Sequence, residues 1–218
     1  MVKNLKNIIR GLFLIIFFTL WLSGKAHVWG PVLLLGLLVV PLWGRLYCGY
    51  LCPISTTIDI LRIFKSPRPL SEKNKKIFFN NKVRALIFLV SIALLATTIK
   101  TGFPIPFFVI LVPIGVIFTY LFSEAAWHRN CFIGVIYSWL GGISRYGYII
   151  QDSLCSGCGR CEKVCPTACL EINSVHKNID NEHCLICGKC QEACPKENIY
   201  YGRLKKRKEK SREAVSFN

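Results

Sequence analysis

Acidic residues are scarce in the first two thirds of this chain of 218 residues. Residues 1–151 contain three acidic side chains and sixteen basic ones. So few carboxylates are too few to clothe a soluble surface, which argues against an ordinary globular domain in water. The sequence also lacks a glycine-rich phosphate loop after a strand-like segment, so it gives no indication of a nucleotide or flavin site.

Long uncharged runs occupy the region that is poor in acids. Four runs precede residue 125, with lengths of 14, 17, 15 and 23 residues. About 20 apolar residues cross a hydrocarbon core of about 30 Å, and flanking Arg or Lys side chains extend a short run by snorkelling. We therefore predict four transmembrane helices, although the first run also fits a cleaved signal peptide because basic residues precede it. The runs are Gly11–Gly24, Val28–Gly44, Ala85–Ile99 and Thr101–Ser123.

Basic residues alternate between the segments that flank these runs. The N-terminus has three, the loop Arg45–Arg84 has nine and the chain after the fourth run has fourteen, whereas each remaining loop has one. The positive-inside rule then places both termini and the nine-charge loop in the cytoplasm of a prokaryotic cell, beneath its cytoplasmic membrane. Lysine-rich segments beside membrane spans contact anionic lipid, so we predict membrane lipid and no nucleic acid as a partner.

Nine of the twelve cysteines lie between residues 155 and 194, and eight of these nine form two C-x2-C-x2-C-x3-C-P motifs. Three closely spaced cysteines wrap one face of an iron-sulfur cubane, and the fourth cysteine of the run reaches the neighbouring cluster. Structural zinc takes paired C-x2-C knuckles, so it fits this spacing less well. The predicted ligands are Cys155, Cys158, Cys161 and Cys194 for cluster 1, and Cys184, Cys187, Cys190 and Cys165 for cluster 2.

Over about 45 residues these motifs resemble the two-cluster bacterial-type ferredoxins. The resemblance implies two 4Fe-4S clusters in a small α+β module. The predicted fold class is therefore a membrane all-α domain of four transmembrane helices followed by a two-cluster ferredoxin domain. Its predicted parts are residues 1–150, residues 151–201 and a basic disordered tail, residues 202–218. The remaining cysteine of this region, Cys169, is predicted to be a small buried apolar residue.

A further cysteine motif, Cys48-x3-Cys52-Pro53, follows the second run. Together with the four runs and the C-terminal motifs it resembles the NapH family of membrane ferredoxins, which is related to the membrane parts of NosR and CcoG. The resemblance implies a protein that takes electrons from membrane quinol and passes them to redox subunits or ferredoxin-like proteins. It also marks Cys48 and Cys52, with Cys131 after the fourth run, as candidate ligands of a third cluster at the membrane edge.

The chain departs from the family after the fourth run, where the family has a second C-x3-C-P-x-G motif. Cys131 and Gly134 match that motif, but Trp127 replaces its first cysteine and Phe132 replaces its proline. A third cluster is thus one thiolate short. Either His128 supplies a nitrogen ligand, or the cluster has three cysteine ligands, or no cluster forms.

Quinol oxidation also releases protons, so a quinol site needs a proton acceptor near the membrane edge. The candidates in the first 151 residues are Asp59, Glu124 and His128. Each carboxylate could instead pair with a neighbouring Arg or Lys.

The leading hypothesis is a membrane-bound iron-sulfur electron-transfer protein. If it is an enzyme, it is the oxidoreductase component of a quinol dehydrogenase, with quinone as a further cofactor. Two alternatives remain open. The first is a membrane-anchored ferredoxin adaptor without a quinol site, and the second is a maturation or regulatory protein for another enzyme.

Overall fold

The computed structural model describes residues 2–25, 28–64, 71–101, 107–151, 155–172 and 177–204. The predicted tail lies outside the described residues from position 205 onward. The described chain is helical up to Gly141, and its strands follow. The helices are α1 Val2–Leu22, α2 Trp29–Trp43, α3 Pro53–Leu61, α4 Glu72–Phe78, α5 Asn81–Thr101, α6 Phe107–Leu121, α7 Glu124–Asn130, α8 Phe132–Gly141, α9 Arg160–Lys163 and α10 Lys189–Ala193, and the strands are β1 Tyr146–Ile150, β2 Leu170–Ile172, β3 Lys177–Ile179 and β4 Ile199–Arg203.

Four of these helices, α1, α2, α5 and α6, coincide with the four uncharged runs. Within the described residues, one segment, Leu5–Leu22 in α1, is long and apolar enough to cross a membrane. Helices α2 and α6 have 15 residues each. At 1.5 Å per residue they are about 22 Å long, less than a hydrocarbon core of about 30 Å. The described structure therefore does not support the prediction of four transmembrane helices.

The ferredoxin module is built from two antiparallel strand pairs. Strand β1 pairs with β4, with Tyr148 opposite Tyr201, and β2 pairs with β3. The pair formed by β1 and β4 starts at Tyr146, whereas the sequence predicted the module to begin at residue 151. The boundary shifts because β4 needs β1 as its only pairing partner within the described chain, and the cysteine spacing carries no information about that strand.

The module lies directly against the helical part. The hydroxyl of Tyr201 donates a hydrogen bond to the carbonyl of Trp43 at 2.9 Å. On the other side, the Arg129 guanidinium donates to the carbonyl of Thr167 at 3.0 Å. These hydrogen bonds between distant segments hold the two parts in one arrangement.

Candidate iron-sulfur sites

The four predicted ligands of cluster 1, called here the first quartet, surround one cavity. Ile150 of β1 and Ile199 of β4 close this cavity on one side. Gly157 and Gly159 have φ angles of +70° and +68°, a backbone conformation that favours glycine. These turns fold the loop around the cavity before α9 begins. The cysteines that line the cavity are Cys155, Cys158, Cys161 and Cys194.

The four predicted ligands of cluster 2, called here the second quartet, surround a second cavity. Gly188, at φ +74°, makes the turn that begins α10. Cys169 also lines this cavity, and its sulfur lies 3.5 Å from the sulfur of Cys165. Cys169 is 3% exposed, so it is a buried residue, and its backbone N–H donates to the Cys165 sulfur at 3.4 Å. The other cysteines that line this cavity are Cys184, Cys187 and Cys190.

The donor atoms of both cavities fit a 4Fe-4S cluster. Four thiols line the first cavity and five, with Cys169, line the second, so each cavity can supply the four ligands of a cubane. In both cavities one of the predicted ligands comes from the other motif. Burial raises the pKa of Cys161 to about 11 and that of Cys190 to about 12. The backbone N–H groups of Glu162 and Gln191 hydrogen-bond these two sulfurs and act in the opposite direction. Loading therefore releases protons from the thiols, and the amides are placed to stabilise bound thiolate.

The two cysteine loops differ sharply in exposure. In the first loop Ser156, Gly157 and Cys158 are exposed. In the second loop Leu185 and Ile186, at 2% and 3% exposure, are buried. The helical part covers the second loop. Leu185 belongs to an apolar cluster that includes side chains of α2 and α8, and Ile186 packs against Gly44, which follows α2.

The second loop approaches the helical part closely at Gly49, in the π-helical turn Tyr47–Leu51. A Cβ atom added at Gly49 would lie 2.2 Å from the carbonyl oxygen of Leu185 and 3.5 Å from the backbone nitrogen of Cys187. Only glycine leaves room for the second loop to reach the turn between Cys48 and Cys52.

The three membrane-edge cysteines meet in one apolar cluster. Cys48 is a buried member of this cluster, and Cys52 and Cys131 pack against it. The cluster also contains Cys187 of the second ferredoxin motif. Cys52 precedes α3 and Cys131 precedes α8, and backbone N–H groups at the start of each helix hydrogen-bond these sulfurs. Burial raises the pKa of both thiols, and the N–H groups of the helix N-termini oppose that rise because they favour thiolate, the form that binds metal.

A buried arginine lies beside this site. Arg45 is 1% exposed, and its guanidinium nitrogen lies 3.9 Å from the sulfur of Cys48. Its other contacts are the carbonyls of His183 at 3.4 Å and His128 at 3.5 Å. Within the described residues no carboxylate lies within ion-pair distance of Arg45. A buried cation of this kind is costly unless an anion compensates for it.

His128 faces a carboxylate. Its Nε2 atom lies 3.8 Å from an oxygen of Glu124, one turn earlier on α7. Burial lowers the pKa of His128 to about 3, so the imidazole is neutral near pH 7. The ring lies beside a polar network, but its Nε2 atom is buried without a hydrogen-bond partner among the described residues, so this nitrogen is still available as a ligand.

The three predicted proton acceptors are brought together in that network. Asp59 accepts hydrogen bonds from Arg10, at 2.8 Å, and from Lys189 of the second cysteine loop. Glu124 pairs with Arg62 at 3.1 Å and lies 4.0 Å from Lys189. Burial raises the pKa of Glu124. The sequence identified the acids but not their basic partners, because no local pattern links Lys189 to a residue 130 positions away.

Comparison with known proteins supports the ferredoxin-type part of the prediction. Residues 147–195 match the family described as a 4Fe-4S dicluster domain, and residues 26–71 match a 4Fe-4S binding domain. An uncharacterized protein of Methanocaldococcus jannaschii is 25% identical over 150 residues, which are 65% of this chain and 57% of that protein. The chain thus spans little more than half the length of this curated relative. No solved structure matches the chain significantly.

These matches identify 4Fe-4S ferredoxin-type domains in the chain, which indicates an iron-sulfur electron-transfer protein. The second match contains Cys48 and Cys52, the only cysteines between residues 26 and 71. The wider resemblance to NapH-type membrane ferredoxins stays a prediction.

Proposed function

We propose that this protein is a membrane-bound electron carrier that receives electrons from quinol or a donor subunit and passes them to a redox partner. The two quartets would hold two 4Fe-4S clusters, which supply one-electron redox centres when bound. The contact of Gly49 with Leu185 is the observation that carries the proposal. It joins the membrane-edge cysteines to the second quartet without an intervening layer of side chains.

A third centre at Cys48, Cys52 and Cys131 forms part of the proposal. The buried guanidinium of Arg45 supports it, because an anionic iron-thiolate site would compensate for a charge that is otherwise unpaired among the described residues. The two helix N-termini at Cys52 and Cys131 add further stabilisation of thiolate. The fourth ligand is then His128, whose buried Nε2 has no hydrogen-bond partner among the described residues, or an external group, or none.

Membrane attachment is supported by the distribution of side chains on α1. Ile8 and Ile15 are 64% and 63% exposed, whereas the charged residues Lys6 and Arg10 are 8% and 7% exposed. A helix with its cations inside and its large apolar residues outside suits lipid rather than water. Other exposed apolar residues lie on the neighbouring helices, including Leu34, Leu35, Leu38, Leu86, Leu89 and Ile117.

Lys6 also pairs with Glu192 of the ferredoxin module at 2.9 Å. The start of α1 and the module therefore lie at the same end of the helices. We propose that this end is cytoplasmic, in agreement with the positive-inside rule.

The charged network supports a division of roles among the proton-acceptor candidates. Asp59 pairs with two cations and holds the second cysteine loop against α1 and α3. Glu124, whose pKa is raised by burial, is the better candidate to take up a proton.

Anaerobic purification with iron and sulfide analysis tests the cluster content. Two 4Fe-4S clusters give about eight irons per chain, and a third centre raises the count to about eleven or twelve. A short-chain quinol added to the oxidised protein should bleach the visible absorbance. Reduction by protein donors but never by quinol would favour the ferredoxin adaptor, an alternative that the single long apolar helix of the described residues also fits.

A further inference from the structure

The two cysteine loops are variants of one motif with opposite surroundings. The second loop reads Cys-Leu-Ile-Cys-Gly-Lys-Cys, and its apolar pair is buried against the helical part. The first loop reads Cys-Ser-Gly-Cys-Gly-Arg-Cys, and the small polar pair at the same positions is exposed. A Cβ added at Gly157 would have no atom within 4 Å. The first loop is therefore open where the second loop is covered.

The basic residue of each loop repeats this contrast. Lys189, in the second loop, is bound by two carboxylates of the helical part, Asp59 and Glu124. Arg160 holds the equivalent position in the first loop and is exposed. Within the described residues no carboxylate lies within 4.0 Å of its guanidinium. Lys189 binds carboxylates of the helical part, so we expect Arg160, at the equivalent position, to bind carboxylates of another molecule.

The charged residues around the first cavity also favour binding of carboxylates from another molecule. Arg160 and Lys196 are the charged residues among those that line it, and both are exposed. Nearby Glu162 is engaged, since its carboxylate accepts a hydrogen bond from the backbone of Ile172 at 2.6 Å. Glu197 is the exposed acidic neighbour of Lys196.

We propose that Ser156–Arg160 and Lys196 form the docking surface of an acidic, water-soluble electron-transfer protein, which exchanges electrons at the first quartet. Each exchange moves one electron, so one centre is oxidised as the other is reduced, and no bond is made or broken. The small side chains of the loop allow a close approach, which matters because electron transfer slows steeply with distance. The inference rests on the proposed function and assigns the second quartet to the helical side.

Binding measured on the full-length, cluster-loaded protein in detergent tests the docking surface. The probe is a purified acidic 2Fe-2S ferredoxin, titrated at increasing salt, and a basic cytochrome c is the control protein. We expect the acidic probe to bind and added salt to weaken that binding. The double variant R160E/K196E should lose at least about tenfold in affinity. The matched variant K75E/K76E reverses two exposed charges on α4 and should bind as the unmodified protein does.

Cluster absorbance and paramagnetic spectra of each variant show whether the module is still loaded. If the first cysteine loop proves intolerant of R160E, the single variant K196E with intact spectra carries the same test with a smaller loss. Equal affinity of R160E/K196E and K75E/K76E for the probe would overturn the inference, and so would binding that is insensitive to salt. A loss of affinity confined to anionic lipid vesicles would also overturn it, because the surface would then bind a membrane.

This binding assay does not depend on quinol. If quinol reduces the protein and R160E/K196E docks as the unmodified protein does, the inference is wrong and the proposed function stands. Weakened docking of R160E/K196E without any reduction by quinol would support the inference and remove quinol as the electron donor.

Discussion

The contact between Gly49 and the second cysteine loop leads to a quantitative prediction. We expect Gly49→Ala to separate the ferredoxin module from the π-helical turn while leaving both ferredoxin quartets intact. Position 49 is not among the glycines with positive φ, so the substitution adds a methyl group without forcing a new backbone conformation. Any effect then reports the packing between the two parts.

The size of the effect follows from the distances. The added Cβ would lie 2.2 Å from the Leu185 carbonyl oxygen, whereas real Cβ contacts essentially never fall below 3.0 Å. The loop must withdraw by about 1 Å, and overpacking of this kind costs about 1–3 kcal/mol. Because the obstructing atom is backbone in a buried loop, we expect the upper value of about 3 kcal/mol. That corresponds to about a 100-fold shift in the equilibrium between docked and undocked module.

Hydrogen exchange on the anaerobic, loaded protein measures this shift. Backbone amides of the second cysteine loop and of residues 47–51 should exchange faster in Gly49→Ala, whereas those of β1 and β4 should not. Iron at the two ferredoxin quartets should be unchanged, and electron entry from the membrane side should slow. Gly30→Ala in α2 is the matched control, because a Cβ there would meet no atom within 4 Å.

Exchange rates in Gly49→Ala equal to those in Gly30→Ala would refute the reasoning. The module would then be free to adjust at no cost, and the close contact would not define the path between the two parts.

Four other predictions follow from the sites. Asp59→Asn should lower the free energy of unfolding by about 3 kcal/mol, because two partly buried cations lose their anion. Thermal unfolding measures this change, and the control Glu171→Gln, at an exposed position, should change the stability little. Arg45→Met should remove iron from the membrane-edge centre alone, and an unchanged iron count would contradict that role. Cys169→Ala should leave both cluster spectra intact, whereas Cys190→Ala should abolish one of them. Anaerobic chelation of the reduced protein should remove iron first from the first quartet, whose loop is exposed, and loss from the second quartet first would contradict the exposure argument.

The cysteine spacing carries much of the candidate site. A cubane takes its ligands from a short loop, so the run Cys155, Cys158 and Cys161 is visible in the sequence alone. The exchange of the fourth cysteine between motifs could also be predicted, because it is part of the same local repeat. The match of residues 147–195 to a 4Fe-4S dicluster domain supports the ferredoxin part of the prediction.

Other predictions were limited by what a local pattern can express. Hydropathy located the four helices but not where they end. The first uncharged run is Gly11–Gly24, whereas α1 begins nine residues earlier, at Val2, and ends at Leu22. Cysteine spacing likewise gave no indication of β1, which belongs to the module only through its pairing with β4.

The sequence by itself determined which atoms can bind iron and where basic charge accumulates, since both depend on residues close together in the chain. The tertiary structure decided which cysteine loop is covered, because two loops with the same cysteine spacing differ in what packs on them. Leu185 finds a surface shaped by Gly49, and Lys189 finds Asp59, through contacts between segments more than 100 residues apart. Ser156 and Arg160 meet no such surface within the described chain, which leaves the first loop for a partner.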